Sequence, residues 1–356
     1  YTLWHTLSLH DALPISTIQE YLNIGFDAMT FRSFGALTFL GSIKASLGRS
    51  LTLDAPVIKG SPDGDISFQA PWITLANTQS KYGDRNENIS YSQLPAPSEG
   101  GQGSFTLSSD WMDIIGSIGV SGFNRVSLSA HRDITLTDQA YQSGSGGNMV
   151  AWKGRLRTPG DLVVRASRVY PTTLSNFTLK SDEGRITILP GTNPTNTPVH
   201  SAGGWLTVEA MEIDHQGHLA APMGRLRFLL DGNTGDPSKR IQLGPHSVTS
   251  VVGDGNVLYG NLEDIHWYTY EKPKALTSRQ EIQELRVKRM PESSIEIIGD
   301  EVITQGGAII DISGGGTIFS YEFQPGTNGL VDPFQKGGRY IVAPGYVLPG
   351  EAVYLK

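Results

Sequence analysis

His215 and His218, three residues apart on either side of Gly217, are the first residues of this chain whose type and spacing could do chemistry. Two imidazoles that close together can share a zinc ion, provided that both rings face the same way and further ligands complete the site. The local pattern argues against that geometry. Leu206, Val208 and Ala210 alternate with Thr207, Glu209 and Met211, so the apolar positions are two apart, and Gly217 breaks the run as a corner. Histidines on opposite sides of a strand corner point in different directions, and no third ligand stands close by in sequence. The reading is a pair of exposed corner histidines and no metal site.

Other polar clusters fall short in similar ways. Asp231-x-Asn233-x-x-Asp236 has part of a calcium loop, but its spacing is wrong and Gln242 stands where the bidentate Glu would be. Turn chemistry of Asp and Asn accounts for it. Gly253-Asp-Gly-Asn256 hints at a calcium-binding nonapeptide, yet does not recur in tandem. Gly314-Gly-Gly316 lacks both the Lys of a phosphate loop and the spaced glycines of a dinucleotide turn. No Gly-x-Ser-x-Gly elbow is present. The aromatic stretch around Trp267 suits a carbohydrate platform less well than an aromatic corner covering the end of a stack. The sequence therefore assigns no catalytic, cofactor-binding or metal-binding residue, and the chain reads as non-enzymatic.

What positions these residues is a phrase that recurs. Residues 204–224 read Gly-Trp-Leu-Thr-Val-Glu-Ala-Met-Glu-Ile-Asp-His-Gln-Gly-His-Leu-Ala-Ala-Pro-Met-Gly, a strand, a corner and a second strand. Leu51-x-Leu53-x-Ala55, Ile66-x-Phe68-x-Ala70, Val126-x-Leu128-x-Ala130 and Leu162-x-Val164-x-Ala166 repeat its opening, Phe105-x-Leu107-x-Ser109 more loosely, and Leu226-x-Phe228 begins another copy. Their starts are 15, 39, 21, 36, 44 and 20 residues apart, several of them near 20 or twice 20. A strand-corner-strand unit of that size is the mark of a solenoid, in which each unit buries its apolar face only against its neighbours. The fold class expected is all-β, a parallel β-helix with loop excursions and at most one short helix. Ala55, Ala70, Ala130, Ala166 and Ala210 occupy one place in the phrase, and are expected at tight inward corners.

Composition agrees. The 356 residues carry 42 Gly and 20 Pro but only 18% charged residues, which suits short strands and tight corners rather than long helices. A net charge of −7 with scattered Lys and Arg argues against nucleic acid or anionic lipid as partner. There is no Cys, so disulfides and thiolate metal sites are excluded. No apolar run is long enough to span a membrane as a helix.

Residues 1–16 contain Thr6-Leu-Ser-Leu-His10-Asp-Ala-Leu-Pro-Ile15, which matches one reading frame of a sequencing adapter, and are set aside as an assembly scar without structure. Residues 17–356 are expected to form one elongated fragment of a longer protein, with no signal peptide in view. Two short strands are expected over residues 26–48. Loops are expected at 77–103, 139–158, 190–203 and 271–292, the first three forming the outer contact surface. Ser278 to Met290 is the one helical candidate, with Ser278 as cap and Ile282 and Leu285 on one face; a charged loop is its alternative.

Taken together, the phrases resemble the large exoproteins of the filamentous haemagglutinin family, the secreted passengers of two-partner secretion. Residues 204–224 are similar to that family's repeat, and Val169-Tyr-Pro-Thr-Thr173 and Gly306-Gly-Ala-Ile-Ile-Asp-Ile-Ser-Gly-Gly-Gly316 resemble segments of one of its subgroups. The resemblance covers most of 26–356. It implies a right-handed β-helix, export through an outer-membrane transporter as partner, a secreted or cell-surface location, and an adhesive role towards a host glycan or protein receptor. The family's secretion domain and its Asn-Pro-Asn-Gly type motif are absent from this sequence. The rival expectation is a β-helical polysaccharide lyase or hydrolase, against which stands the lack of a recurring carboxylate cluster among the outward residues.

Overall fold

The computed structural model describes residues 26–78, 100–143, 149–231, 239–270, 284–286 and 293–321, apart from positions 62, 194, 196, 254 and 264–265. The expected adapter scar, the body of the 77–103 loop and residues 232–238 lie outside these.

The chain winds through three parallel sheets in a fixed order, which makes it a three-faced parallel β-helix. Its first turn uses Ala28–Arg32 on face 1, Ala36–Phe39 on face 2 and Ile43–Ser46 on face 3, three strands where two were expected over residues 26–48. Its second turn uses Ser50–Asp54, Val57–Gly60 and Ile66–Gln69 in the same order. Ala28 pairs with Ser50 and Ser50 with Trp72, so an uninterrupted rung is 22 residues long. Among the described residues there is no helix.

Alternation explains why each strand sits where it does. Strands buried on one side put every second residue inward, and parallel pairing in register stacks like positions about 4.8 Å apart up the axis. On face 1, Leu51, Ile73, Met112 and Ile134 form such a column. On face 3 the column is Ile66, Phe105, Val126, Leu162, Ile186, Ile213 and Ile241. All belong to one continuous buried cluster running from Phe31 to Val251. Two glycines make room for its largest side chains. A Cβ on Gly60 would run into the Phe123 ring, and one on Gly154 would run into Phe177.

The recurring phrase is shared by all three faces, which corrects its reading as a once-per-rung mark. Leu51 begins a copy on face 1, Ile66, Phe105, Val126 and Leu162 on face 3, and Leu206 and Leu226 on face 2. The 15-residue interval from 51 to 66 is thus a step within one rung, whereas 105 to 126 and 206 to 226 are true rung repeats. Each face solves the same burial problem and arrives at the same pattern. The five alanines are all buried and stand at the ends of strands, but at different corners. Ala70, Ala130 and Ala166 follow face 3, Ala55 follows face 1, and Ala210 ends a face 2 strand.

The excursions depart from expectation in instructive ways. Residues 139–158 are a hairpin rather than a loop. Gln139–Ser143 pairs antiparallel with the first half of Met149–Thr158, whose second half enters face 2 between Ser117–Ser121 and Asn176–Ser181. The inward sequence Gly154, Leu156, Thr158 has the period of a face 2 strand, and face 2 pairing begins at Gly154. Residues 77–102 contribute no described strand to face 2, and Val57–Gly60 pairs directly with Ser117–Ser121. Residues 190–204 likewise skip face 1, where Arg168–Pro171 meets His218–Ala220 at Val169 and Leu219. Within the helical candidate, Glu284–Arg286 is a strand paired with His266–Tyr270; the rest of it lies outside the described residues.

Candidate functional site

His215 is the last residue of Glu212–His215, and the alternation that turns Ile213 inward turns His215 inward too. It stacks between Ile188 and Leu243 in the face 3 column and is fully buried, which corrects its reading as an exposed corner residue. Period two from Ile213 was the signal. Its Nε2 donates to the carbonyl of Val248 at 3.2 Å, and its ring lies 5.7 Å from that of Phe228. Nδ1 has no hydrogen-bond partner. Burial pushes its pKa down to about 4, opposed by the Val248 bond and assisted by the nearby His218. His218 opens the next strand, on face 1. Two imidazoles on different faces do not make one site, and His215 is a neutral core residue. Among the described residues no group of three or more His, Asp or Glu is placed to hold a metal.

The chemistry that the sequence pattern does not reveal lies on the outer surface of face 1. Register stacks Ser50, Trp72, Trp111, Asp133 and Arg168 in one outward column, and Thr52, Thr74, Asp113, Thr135 and Tyr170 in the next. Trp72 is 53% exposed although it sits mid-stack. Its Nε1 donates to Asp113 Oδ2 at 2.8 Å, and the Trp111 indole donates to the same carboxylate. The Thr135 hydroxyl bonds its other oxygen. Burial nevertheless raises the Asp113 pKa above the usual carboxylate value, against the lowering effect of the Thr135, Trp72 and Trp111 bonds. One carboxylate thus fixes two indoles from adjacent rungs.

Next along the same face the outward residues are buried instead. Arg168 grips Asp133 with two bonds, Nε to Oδ1 at 3.1 Å and Nη2 to Oδ2 at 2.6 Å. A third arm, Nη1, bonds the carbonyl of Thr197. Val199 packs on Tyr170 and Ala220, and Ser201 Oγ donates to the Pro171 carbonyl at 2.6 Å. Burial, with the negative charge of Asp133 behind it, raises the Tyr170 pKa. The 190–203 loop, expected as free outer surface, is therefore tied onto face 1 where a strand is missing.

The chain matches no protein-family model, no curated protein and no solved structure with which it was compared. Function must be argued from the faces themselves.

The other two faces carry ion pairs. On face 3 an outward column reads Arg125, Asp161, Arg185, Glu212, Arg240 and Glu301, alternating in sign at every rung. Arg185 reaches Glu212 at 2.6 Å, and Arg240 reaches it at 3.4 Å. On face 2, Lys180 bridges Glu209 at 2.5 Å and Asp231 at 2.6 Å, and the Arg225 guanidinium stacks 4.4 Å over the Trp205 ring. These arrangements hold rungs together. No described helix is long and apolar enough to cross a membrane.

Proposed function

We propose that this chain is a structural and adhesive segment of a secreted or surface-exposed exoprotein of the filamentous haemagglutinin type, without enzymatic activity. The observation that carries the reading is the unbroken apolar column from Phe31 to Val251, wound by one chain in rungs of about twenty residues. Such a stack is a stiff rod whose rungs need only their neighbours to fold. That property suits a chain threaded through an outer-membrane transporter, because rungs can form as they emerge. The absence of Cys suits passage through an oxidising compartment. The resemblance of residues 204–224 to that family's repeat, and of 306–316 to a segment of one of its subgroups, adds the secretion route and the contact role towards a host receptor.

Two measurements test this. Antibodies raised against the protein should label intact producing cells or the culture medium; labelling confined to permeabilised cells overturns the location. Incubation with a polysaccharide panel should release no new reducing ends or unsaturated products; sustained release overturns the non-enzymatic reading in favour of a lyase or hydrolase.

A further inference from the structure

We propose that the outer surface of face 1 around Trp72 and Trp111 is a binding platform for a neutral polysaccharide chain, with sugar rings stacked on the indoles. The inference goes beyond the structural role and does not depend on how the chain reaches its destination.

Three observations converge on it. The only polar atom of the Trp72 side chain, Nε1, is already bonded to Asp113, so what its exposed half offers solvent is apolar ring carbon. An indole held in the middle of a stacked sheet, with no strand or described loop over it, leaves apolar surface wet that folding could have buried. The ring is also held in one orientation. Asp113 takes bonds from Trp72, Trp111 and Thr135 at once, a desolvated anchor whose effect is to present two rings one rung apart in fixed positions. Pre-organised aromatic surface is what carbohydrate recognition needs, because the axial C–H face of a pyranose packs on a π-face and its hydroxyls need nearby partners.

Those partners are in the neighbouring column, where Thr52 and Thr74 stand beside the indoles in register. Charge selects among glycans. Carboxylates flank the indoles: Asp113 bonds both of them, Asp110 precedes Trp111 and bonds His131 at 2.8 Å, and Asp133 stands one rung on, paired with Arg168. Three cations along this face are paired with carboxylates, Arg32 with Asp54 among them. Arg49 pairs with Asp27, and Arg168 is neutralised by Asp133 beneath the 190–203 loop. A chain of uronates or sulfated sugars stacked on the indoles would lie against the Asp113 carboxylate, whereas neutral hydroxyls can donate to carboxylate and threonine oxygens alike. Trp205 on face 2 is a poorer platform, since the Arg225 guanidinium already covers its ring.

The test is a titration of the whole protein, followed by tryptophan fluorescence and calorimetry, with glucan, mannan, galactan and xylan hexasaccharides. Oligogalacturonate and heparin fragments form the anionic arm. At least one neutral chain should bind saturably. Trp72→Ala and Trp111→Ala should each weaken it by roughly tenfold or more, about the loss of one good stacking contact. Trp72→Phe, which keeps a ring but loses the Asp113 bond, should fall between, and Trp205→Ala should change nothing. Circular dichroism and urea midpoints establish that each variant is folded; Trp72 is exposed enough for its removal to leave the core intact. The proposal is overturned if no neutral chain binds, if binding is indifferent to both indoles, or if only the anionic chains bind. Failure here would leave the surface-labelling test of the structural role untouched.

Discussion

Replacing His215 by Leu should flatten part of the acid sensitivity of this protein. In the folded chain the imidazole is sealed between Ile188 and Leu243 and stays neutral down to about pH 4, whereas in the unfolded chain it titrates near 6.5. Between those values the unfolded state binds a proton that the folded state does not, so stability rises with pH across the window and is lost as pH falls through it. Above 6.5 the ionisation equilibrium of the group costs nothing. The span of about 2.5 units corresponds to a loss of roughly 3 kcal/mol by pH 4, complete only below it, and to about 2 kcal/mol at pH 5. Leu has no proton to gain. It also abandons the bond to the Val248 carbonyl, so at pH 7.5 the variant can stand above or below the parent by about 1–3 kcal/mol. The decisive quantity is therefore the change in that difference with pH. Urea unfolding followed by fluorescence at pH 7.5 and pH 5 should show the Leu variant gaining about 2 kcal/mol on the parent. Carboxylates elsewhere titrate equally in both proteins and cancel. Parallel loss of stability in the two would refute the reasoning.

Three further outcomes follow from the packing. Ala166→Leu forces three extra carbons into a corner between Ala130 and Pro190, and should cost about 1–3 kcal/mol in urea unfolding. Arg168→Ala leaves the Asp133 carboxylate buried and unpaired and cuts the tie to Thr197; a loss of about 3–5 kcal/mol is expected, with new protease cleavage within 190–203. Glu212→Arg would place three guanidiniums in succession at 185, 212 and 240. Because Arg185 and Arg240 are nearly half exposed, solvent screens the repulsion and the loss should be only about 1 kcal/mol, shrinking further when the midpoint is measured in high salt.

The architecture is legible in the sequence because its determinant is local. Apolar residues two apart, followed by a small residue at a corner, reveal strand and corner without any knowledge of neighbours, although residues 204–224, read as one strand, a corner and a second strand, hold three strands, Trp205–Ala210, Glu212–His215 and His218–Ala220, one on each face. The same simplicity blurs the rung. Since Leu51 and Ile66 write the same phrase on different faces, the pattern alone does not say whether fifteen residues are a rung or a fraction of one. His215 misleads for a related reason: its polarity outweighs its phase, although Ile213 two residues earlier fixes it inward. The 149–158 strand is hidden behind the Gly/Ser tip that precedes it, which draws attention away from Leu156.

The outward columns are illegible for a deeper reason. Trp72 and Trp111 are 39 residues apart because an excursion separates two rungs that are neighbours in space. The alternating charges of face 3 fall at 125, 161, 185, 212, 240 and 301, intervals of 36, 24, 27, 28 and 61 that suggest no order. Only the register makes them a ladder. Register in turn is set by the inward residues, whose apolar character is nearly interchangeable from rung to rung. An apolar column by itself would tolerate pairing a strand with the wrong rung, since Leu, Ile and Val substitute for one another at little cost. The outward column does not tolerate it. A strand displaced by one rung would bring Arg185 beside Arg125, or Glu301 beside Glu212, so the alternation of sign penalises misfolded stacks as well as supporting the native one. In this β-helix the interior therefore supplies stability, while the exterior supplies rung identity on face 3 and a fixed aromatic surface on face 1.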